Sequence, residues 1–150
     1  MDEPSAGAFV SREHRLAVRV YYEDTDFTGV VYHASYVRFF ERGRTDGLRV
    51  IGISHAQLLA RSDPCAFTVT RLAIEFIRAG RIDDALVVRT LFEAVKGPRL
   101  FIRQRITRGV DEIASADVEA ACIRPDGRAR RPPAEMALRL GPYLAKSPSS

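Results

Sequence analysis

The 150-residue chain reads as a single α+β domain in which a curved, five-stranded antiparallel sheet wraps around one long central helix. Three features predict this. An alternating apolar segment opens the ordered region, a segment with spacings of three and four follows it, and four strand-like segments then come in succession. A length of 150 residues suits one hydrophobic core, and 46% hydrophobic with 28% charged residues lies far from the composition of a disordered chain.

Residues 1–12, MDEPSAGAFVSR, mix Pro, Gly, Ser and charge without periodicity and are expected to form a flexible tail. The domain is expected over 13–144, with 145–150 as a second flexible tail. In HRLAVRVYY, residues 14–22, Leu16, Val18, Val20 and Tyr22 alternate onto one face, the pattern of a half-buried strand. DTDFTG breaks that pattern. Tyr36, Phe40, Gly43, Gly47 and Ile51 then recur at helical spacing, so a helix burying one face is expected to start between His33 and Ser35. Gly43 and Gly47 each disfavour a helix interior by about 1 kcal/mol relative to alanine, which predicts a close approach of the helix backbone to a sheet or a ligand. SHAQLLARS offers a short second helix capped by Ser54. Strands are expected at about 65–78, 84–95, 99–108 and 112–124 as an antiparallel meander, and Pro133 opens a short C-terminal helix within its first turn. The open sheet edges predict a homo-oligomer.

The net charge of +4 suits an anionic partner. Nucleic acid is not expected, because the basic residues lack interleaved aromatics or a recognition motif. A membrane span is not expected either, since no apolar run approaches about 18 residues. Cys65 and Cys122 have no metal-ligand spacing and the N-terminus lacks the order of a signal peptide, so a cytoplasmic location with reduced thiols and no bound metal is expected.

Chemistry concentrates in YYEDTDFTGVVYH, residues 21–33. Asp24, Asp26, Thr28 and Gly29 match the start of a calcium loop, but its twelfth position holds Ser35 where a bidentate glutamate is required. A plain turn explains Asp24, Thr25, Thr28 and Gly29, with asparagine tolerable at position 24, yet leaves Tyr22 and His33 without a role. A third reading is a catalytic turn. Unpaired amides at a helix N-terminus stabilise a developing oxyanion and keep a nearby aspartate ionised as nucleophile or general base, which suits acyl transfer.

The run RVYYEDTDFTGVVYHASYVRFFERGRTDGL, residues 19–48, resembles the opening motif of the YbgC-type branch of the 4-hydroxybenzoyl-CoA thioesterase family, whose fold is the hotdog. The resemblance implies hydrolysis of acyl-coenzyme A without metal or bound cofactor. It implies Asp26 as the catalytic carboxylate, either attacking the thioester or activating water, accompanied by His33 and Tyr22. The amide near His33 corresponds to the carbonyl-polarising donor, and a histidine there, where the hydroxybenzoyl-specific type has tyrosine, points to an aliphatic or general acyl group. Glu41 and Gly29 match supporting positions, although an ion pair of Glu41 with Arg38, Arg42 or Arg44 is an equal alternative. For the phosphates of coenzyme A, charge nominates Lys96, Arg99, Arg128, Arg130 and Arg131. The family's habit is a homodimer or homotetramer. A non-catalytic hotdog module that binds acyl thioesters or serves as a scaffold is the alternative.

Overall fold

The computed structural model describes residues 2–145. Its strands are β1 (Ala8–Val10), β2 (Glu13–Arg19), β3 (Ala66–Phe76), β4 (Ala85–Lys96), β5 (Arg99–Arg108) and β6 (Asp111–Ile123), and its helices are α1 (His33–Ile51), α2 (His55–Leu59) and α3 (Ala134–Leu140). All strand pairs are antiparallel in the order β1-β2-β4-β5-β6-β3, so the strand nearest α1 in sequence on its C-terminal side lies at the far edge.

The core sits between α1 and one sheet face. Leu86, Val88, Thr90 and Phe92 of β4, and Leu100, Ile102, Gln104 and Ile106 of β5, point inward by strict alternation. They meet Tyr36, Phe39, Phe40 and Leu48 of α1. The helix ends where Gly52, at φ 102°, closes a left-handed cap and Ile53 donates its N–H to the Leu48 carbonyl at 2.8 Å.

The two helix glycines face the sheet. A Cβ on Gly43 would fall 2.6 Å from Val88 Cγ1, 2.9 Å from Thr90 Oγ1 and 3.1 Å from Gln104 Nε2. Beneath it Gln104 Nε2 donates to the Phe40 carbonyl and to Thr90 Oγ1, each at 2.9 Å, while Arg44 donates to Gln104 Oε1 at 3.1 Å. A methyl group there would therefore collide with a satisfied buried polar cluster. At Gly47 the nearest atoms, from Phe92 and His14, stand at 3.2 and 3.3 Å.

Five expectations need correction. The four long strands do not form one meander: β4, β5 and β6 pair in succession, but β3 pairs with β6 and not with β4, because the chain crosses from the β3 edge to β4 on the far side of β5. The sheet has six strands rather than five, because β1 lies inside the stretch expected to be a tail. Residues 8–10 are held by packing that periodicity does not report: the Phe9 ring sits 5.3 Å from that of His14 and 4.3 Å from that of Tyr143, and Asp46 Oδ2 accepts the Gly7 N–H at 2.8 Å and contacts His14 Nε2 at 2.7 Å. The first long strand stops at Arg19, because the Asp24 carboxylate takes the Tyr21 N–H at 2.8 Å and draws the chain into a 3-10 turn over Tyr22–Asp24. Pro133 is the N-cap of α3 rather than a residue of its first turn. At the other end, Ala145 donates its N–H to the Phe92 carbonyl at 2.9 Å, and 146–150 of the expected C-terminal tail lie outside the described residues. The cap at Ser54 is found as expected, its Oγ accepting the Gln57 N–H.

Gly43→Ala is expected to lower stability by about 1–3 kcal/mol despite alanine's better helix propensity, because overpacking outweighs the gain of about 1 kcal/mol. Gly47→Ala should lose less. Urea denaturation of both variants checks the order.

Candidate active site

Residues 24–32 form a small hairpin whose far foot is the start of α1. The Asp24 carbonyl accepts the Tyr32 N–H at 2.9 Å, Thr25 and Val31 bridge, and Asp26 donates its N–H to the Val30 carbonyl at 2.9 Å. Gly29 returns its N–H to the Asp26 carbonyl at 3.2 Å and holds φ at 84°, a conformation that favours glycine. Asp26 stands on one arm. The other arm ends at Tyr32, the extended N-cap of α1, and His33 is the first helical residue. No side chain caps this end; Ser35 returns its N–H to the Tyr32 carbonyl at 2.8 Å, and the amides of His33 and Ala34 ahead of it have neither an intrahelical acceptor nor a side-chain cap.

Asp26 Oδ1 accepts the Thr28 hydroxyl at 2.6 Å and the Thr28 N–H at 2.8 Å. These bonds, the hydroxyl foremost, hold the Asp26 carboxyl below the usual carboxylate range against a small opposing effect of desolvation. Both fall on Oδ1, so the second oxygen lies outside the Thr28 contacts. An ionised carboxylate with one oxygen oriented by hydrogen bonds and the two leading amides of the helix, those of His33 and Ala34, thus share one short hairpin.

The segment 79–84 braces this hairpin. Gly80 accepts the Val31 N–H on its carbonyl at 2.8 Å and donates its own N–H to the Tyr36 hydroxyl at 3.0 Å, while Ile82 donates to the Gly29 carbonyl at 2.9 Å. Burial pushes the Tyr36 phenol above its usual range. Arg108 anchors the back of the segment through the Asp84 carboxylate at 2.7 Å and the Ala79 carbonyl at 3.3 Å. Between them lies a groove of about 280 Å³ lined by Val30, Val31, His33, Tyr36, Phe76 and Ala79. The His33 ring lies tilted against that of Tyr32, with centroids 4.5 Å apart, and forms an edge contact with Phe76 at 6.3 Å. Larger hollows exist, about 730 Å³ beside Arg49 and Arg139 and about 410 Å³ over Arg103 and Arg105, but neither is lined by hairpin residues. Asp26 is not among the residues that line the hairpin groove; the two are linked through the hairpin itself, whose other arm supplies Val30, Val31 and His33 to the groove.

The other nominated residues divide. Gly29 closes the hairpin, as above. Tyr22 opens the 3-10 turn and is 78% exposed. Glu41 lies two turns into α1, where its carboxylate accepts the Thr45 hydroxyl at 2.8 Å instead of pairing with Arg38, Arg42 or Arg44. Lys96 and Arg99 flank the β4–β5 turn, with Lys96 5.6 Å from the Phe101 ring centre and Arg99 3.8 Å from Glu119. Arg128 stands 3.8 Å from Asp126, and Arg131 is exposed with its carbonyl accepting from Arg130 Nε. Arg130 is not a free cation. Its guanidinium bonds Asp63 Oδ2 at 2.6 Å and its side chain is only 13% exposed. These basic residues occupy the end of the sheet opposite the 79–84 segment, roughly 35 Å away along β4 at the usual rise per residue. One protomer does not bring them to the hairpin.

Asp24 takes the turn role expected of it, its carboxylate accepting the Tyr21 N–H; what the sequence did not show is that the residue is only 4% exposed and that its carboxylate lies 3.8 Å from Arg38. Tyr36 was read only as a core residue; a buried tyrosine needs a partner for its hydroxyl, and that was the signal for its bond to Gly80. Thr28 orients Asp26, two residues after a carboxylate as in an Asx turn.

A family model described as the thioesterase superfamily matches residues 28–115, a span that includes His33 and Glu41 and begins just after Asp26. The chain is 45% identical over 106 residues to a Haemophilus influenzae protein named acyl-CoA thioesterase YbgC, covering 71% of this chain and 77% of that one. To an Escherichia coli protein named acyl-CoA thioester hydrolase YbgC it is 42% identical over 112 residues, covering 74% and 82%. Among solved structures, a probable thioesterase from Bartonella henselae superposes with a TM-score of 0.78 at 40% identity over 81% of this chain and 99% of that one. A 1,4-dihydroxy-2-naphthoyl-CoA thioesterase from Synechocystis, 20% identical over 85% of this chain and 95% of that one, shares the fold with a TM-score of 0.78. With the extent of the family match and the identity to both relatives, the chain belongs to the thioesterase superfamily, and its α+β architecture is the hotdog fold.

Proposed function

We propose that the protein hydrolyses acyl-coenzyme A thioesters to the free acid and coenzyme A, with Asp26 as the reacting carboxylate. The observation that carries this reading is the hairpin, which joins an ionised Asp26 to the uncapped N-terminus of a 19-residue helix. The names of the Haemophilus and Escherichia relatives support the substrate class.

In this reading the thioester carbonyl oxygen faces the amides at the start of α1, His33 among them, where the positive end of the helix dipole stabilises the charge of a tetrahedral intermediate. Two routes lead there. Asp26 attacks the carbonyl carbon, the C–S bond breaks to release the thiolate, and water then cleaves the acyl–aspartyl anhydride; or Asp26 takes a proton from the water that attacks directly. Transfer of ¹⁸O from labelled water into Asp26 during single turnovers distinguishes the first from the second. The imidazole of His33 orients substrate or water, or carries a proton to the leaving thiolate, and Tyr22 and Glu41 are assigned supporting contacts. The reaction is proposed to need no cofactor, so a chelator should leave thiol release unchanged.

We further assign the working unit as a homodimer or a pair of dimers. β3 is a full-length edge strand with Val69 46% and Phe76 52% exposed, whereas the opposite edge is the three-residue β1. An antiparallel pairing of β3 with a second copy would set the Lys96, Arg99 and Arg128 end of one protomer beside the hairpin of the other, within reach of the coenzyme A phosphates. The free cysteines, Cys65 and Cys122, suit a reducing, cytoplasmic compartment. Among the described residues no helix is long and apolar enough to cross a membrane.

Asp26→Asn keeps the Asx turn but removes the nucleophile or base, and a fall in turnover of roughly a thousandfold is expected for a folded variant. Near-normal thiol release would instead favour the non-catalytic module, in which Asp26 only shapes the turn. His33→Ala retains the backbone donor and should stay more active than Asp26→Asn.

The pH dependence follows from Thr28. Because the folded Asp26 carboxyl lies below its ordinary value, it stays ionised as pH falls through the usual aspartate range and hydrolysis persists there. Thr28→Val removes the foremost lowering bond, so the acid limb of the kcat/KM profile should move to higher pH. Superimposable profiles would refute this. Light scattering should find a multiple of the 16.7 kDa chain mass, and a lone monomer would contradict the shared groove.

A further inference from the structure

The hairpin has a second carboxylate whose position is unlike that of Asp26. Asp24 is buried, and three kinds of bond converge on it. Its Oδ2 accepts the Tyr21 N–H at 2.8 Å. Its carbonyl accepts both the Tyr32 N–H and the Ser35 hydroxyl, each at 2.9 Å. Arg38, one turn along α1 from Ser35, donates to Ser35 Oγ at 3.0 Å and brings the same nitrogen to 3.8 Å from Asp24 Oδ1. A single residue thus ties the end of β2, the base of the hairpin and the first turn of the helix.

A buried carboxylate is unfavourable unless it is paired and hydrogen-bonded, so this arrangement needs a reason beyond turn geometry. Asp26 is two residues from Asp24 on one arm, and His33 is one residue beyond Tyr32 on the other. The Asp24 carbonyl bonds to Tyr32 and Ser35 span the hairpin and the first turn of α1, so they restrain rotation of one against the other. We propose that Asp24, acting through Ser35 and Arg38, is a positioning residue that sets the distance between the Asp26 carboxylate and the oxyanion-binding amides of α1. The inference rests on the hydrolase reading of that pair and adds a device for holding it in register.

The test is steady-state thiol release by the full chain from a panel of acyl-CoAs of graded length, with circular dichroism to establish folding. Asp24→Asn retains an acceptor for Tyr21 but loses the charge facing Arg38, and kcat should fall about tenfold with KM unchanged, since a misplacement on the order of 1 Å can slow a reaction by up to two orders of magnitude. Arg38 has a side chain 55% exposed, so it can be replaced without opening the core and serves if Asp24→Asn does not fold. Arg38→Met should lower kcat about threefold, Arg38→Lys should restore most of it, and the double variant Asp24→Asn/Arg38→Met should be no worse than Asp24→Asn alone. A purely stabilising role would alter melting and leave kcat per folded chain unchanged, and that result overturns the proposal. So does a rise in KM at constant kcat, which would make Asp24 a binding contact. A wild-type protein that cleaves no thioester overturns the hydrolase reading and this proposal together, and is told apart from failure of the positioning role by the inactivity of the wild type itself.

Discussion

The closeness of α1 to the sheet is the constraint on which the rest of the molecule depends. Positions 43 and 47 have room for hydrogen but, at 43, no room for carbon, so the helix axis is fixed at a separation that the Gln104 and Thr90 cluster sets from below. With axis and separation fixed, the helix N-terminus emerges at one place relative to β4 and the segment that precedes it. The uncapped amides at His33 are therefore part of the core's geometry, although they lie at its surface. A rigid scaffold carrying its reactive groups on a short connection at its rim is a common division of labour between packing and chemistry.

The hairpin completes that division. Its bonds run three ways: inward to Asp24, along itself between Asp26 and Val30, and sideways to Gly80 and Ile82. Tyr36 links the sideways set back to the helix, so the segment that follows the groove wall of Phe76 to Ala79 is tied both to the hairpin and to α1. Electrostatics follow the same layout. Thr28 keeps Asp26 ionised at the surface, while Arg38 faces the carboxylate that is buried.

Much of this was legible in the sequence because periodicity reports burial. The four long strands after α1, the helix start near His33, the Ser54 cap and the meaning of the helix glycines were readable from spacing and residue type, whereas the pairing of β3 with β6 instead of β4 was not. The elements that escaped are those held by contacts distant in sequence. β1 is pinned by Phe9 against Tyr143 and by Gly7 to Asp46, and no local pattern encodes either pair. Asp24 and Asp26 look equivalent as letters two apart, yet a 3-10 turn sends one inward and leaves the other at the surface. The basic residues chosen by charge alone were the least legible, since Arg130 is committed to Asp63 and the others lie at the opposite end of the sheet.

The restraints on the hairpin have an evolutionary consequence. Val31 to Gly80, Ile82 to Gly29, Asp26 to Val30 and Tyr32 to Asp24 are all main-chain pairs, available to almost any residue at those positions. Side chains such as Phe27, 98% exposed at the tip, are free to drift without altering the path of the backbone. Selection on the turn thus falls on very few letters: a glycine at 29 for its positive φ, one at 80 where a Cβ would sit 3.0 Å from Val31, and the carboxylates themselves. A turn shape held by main-chain bonds is compatible with wide change in sequence, and the fold as a whole is shared with a protein only 20% identical.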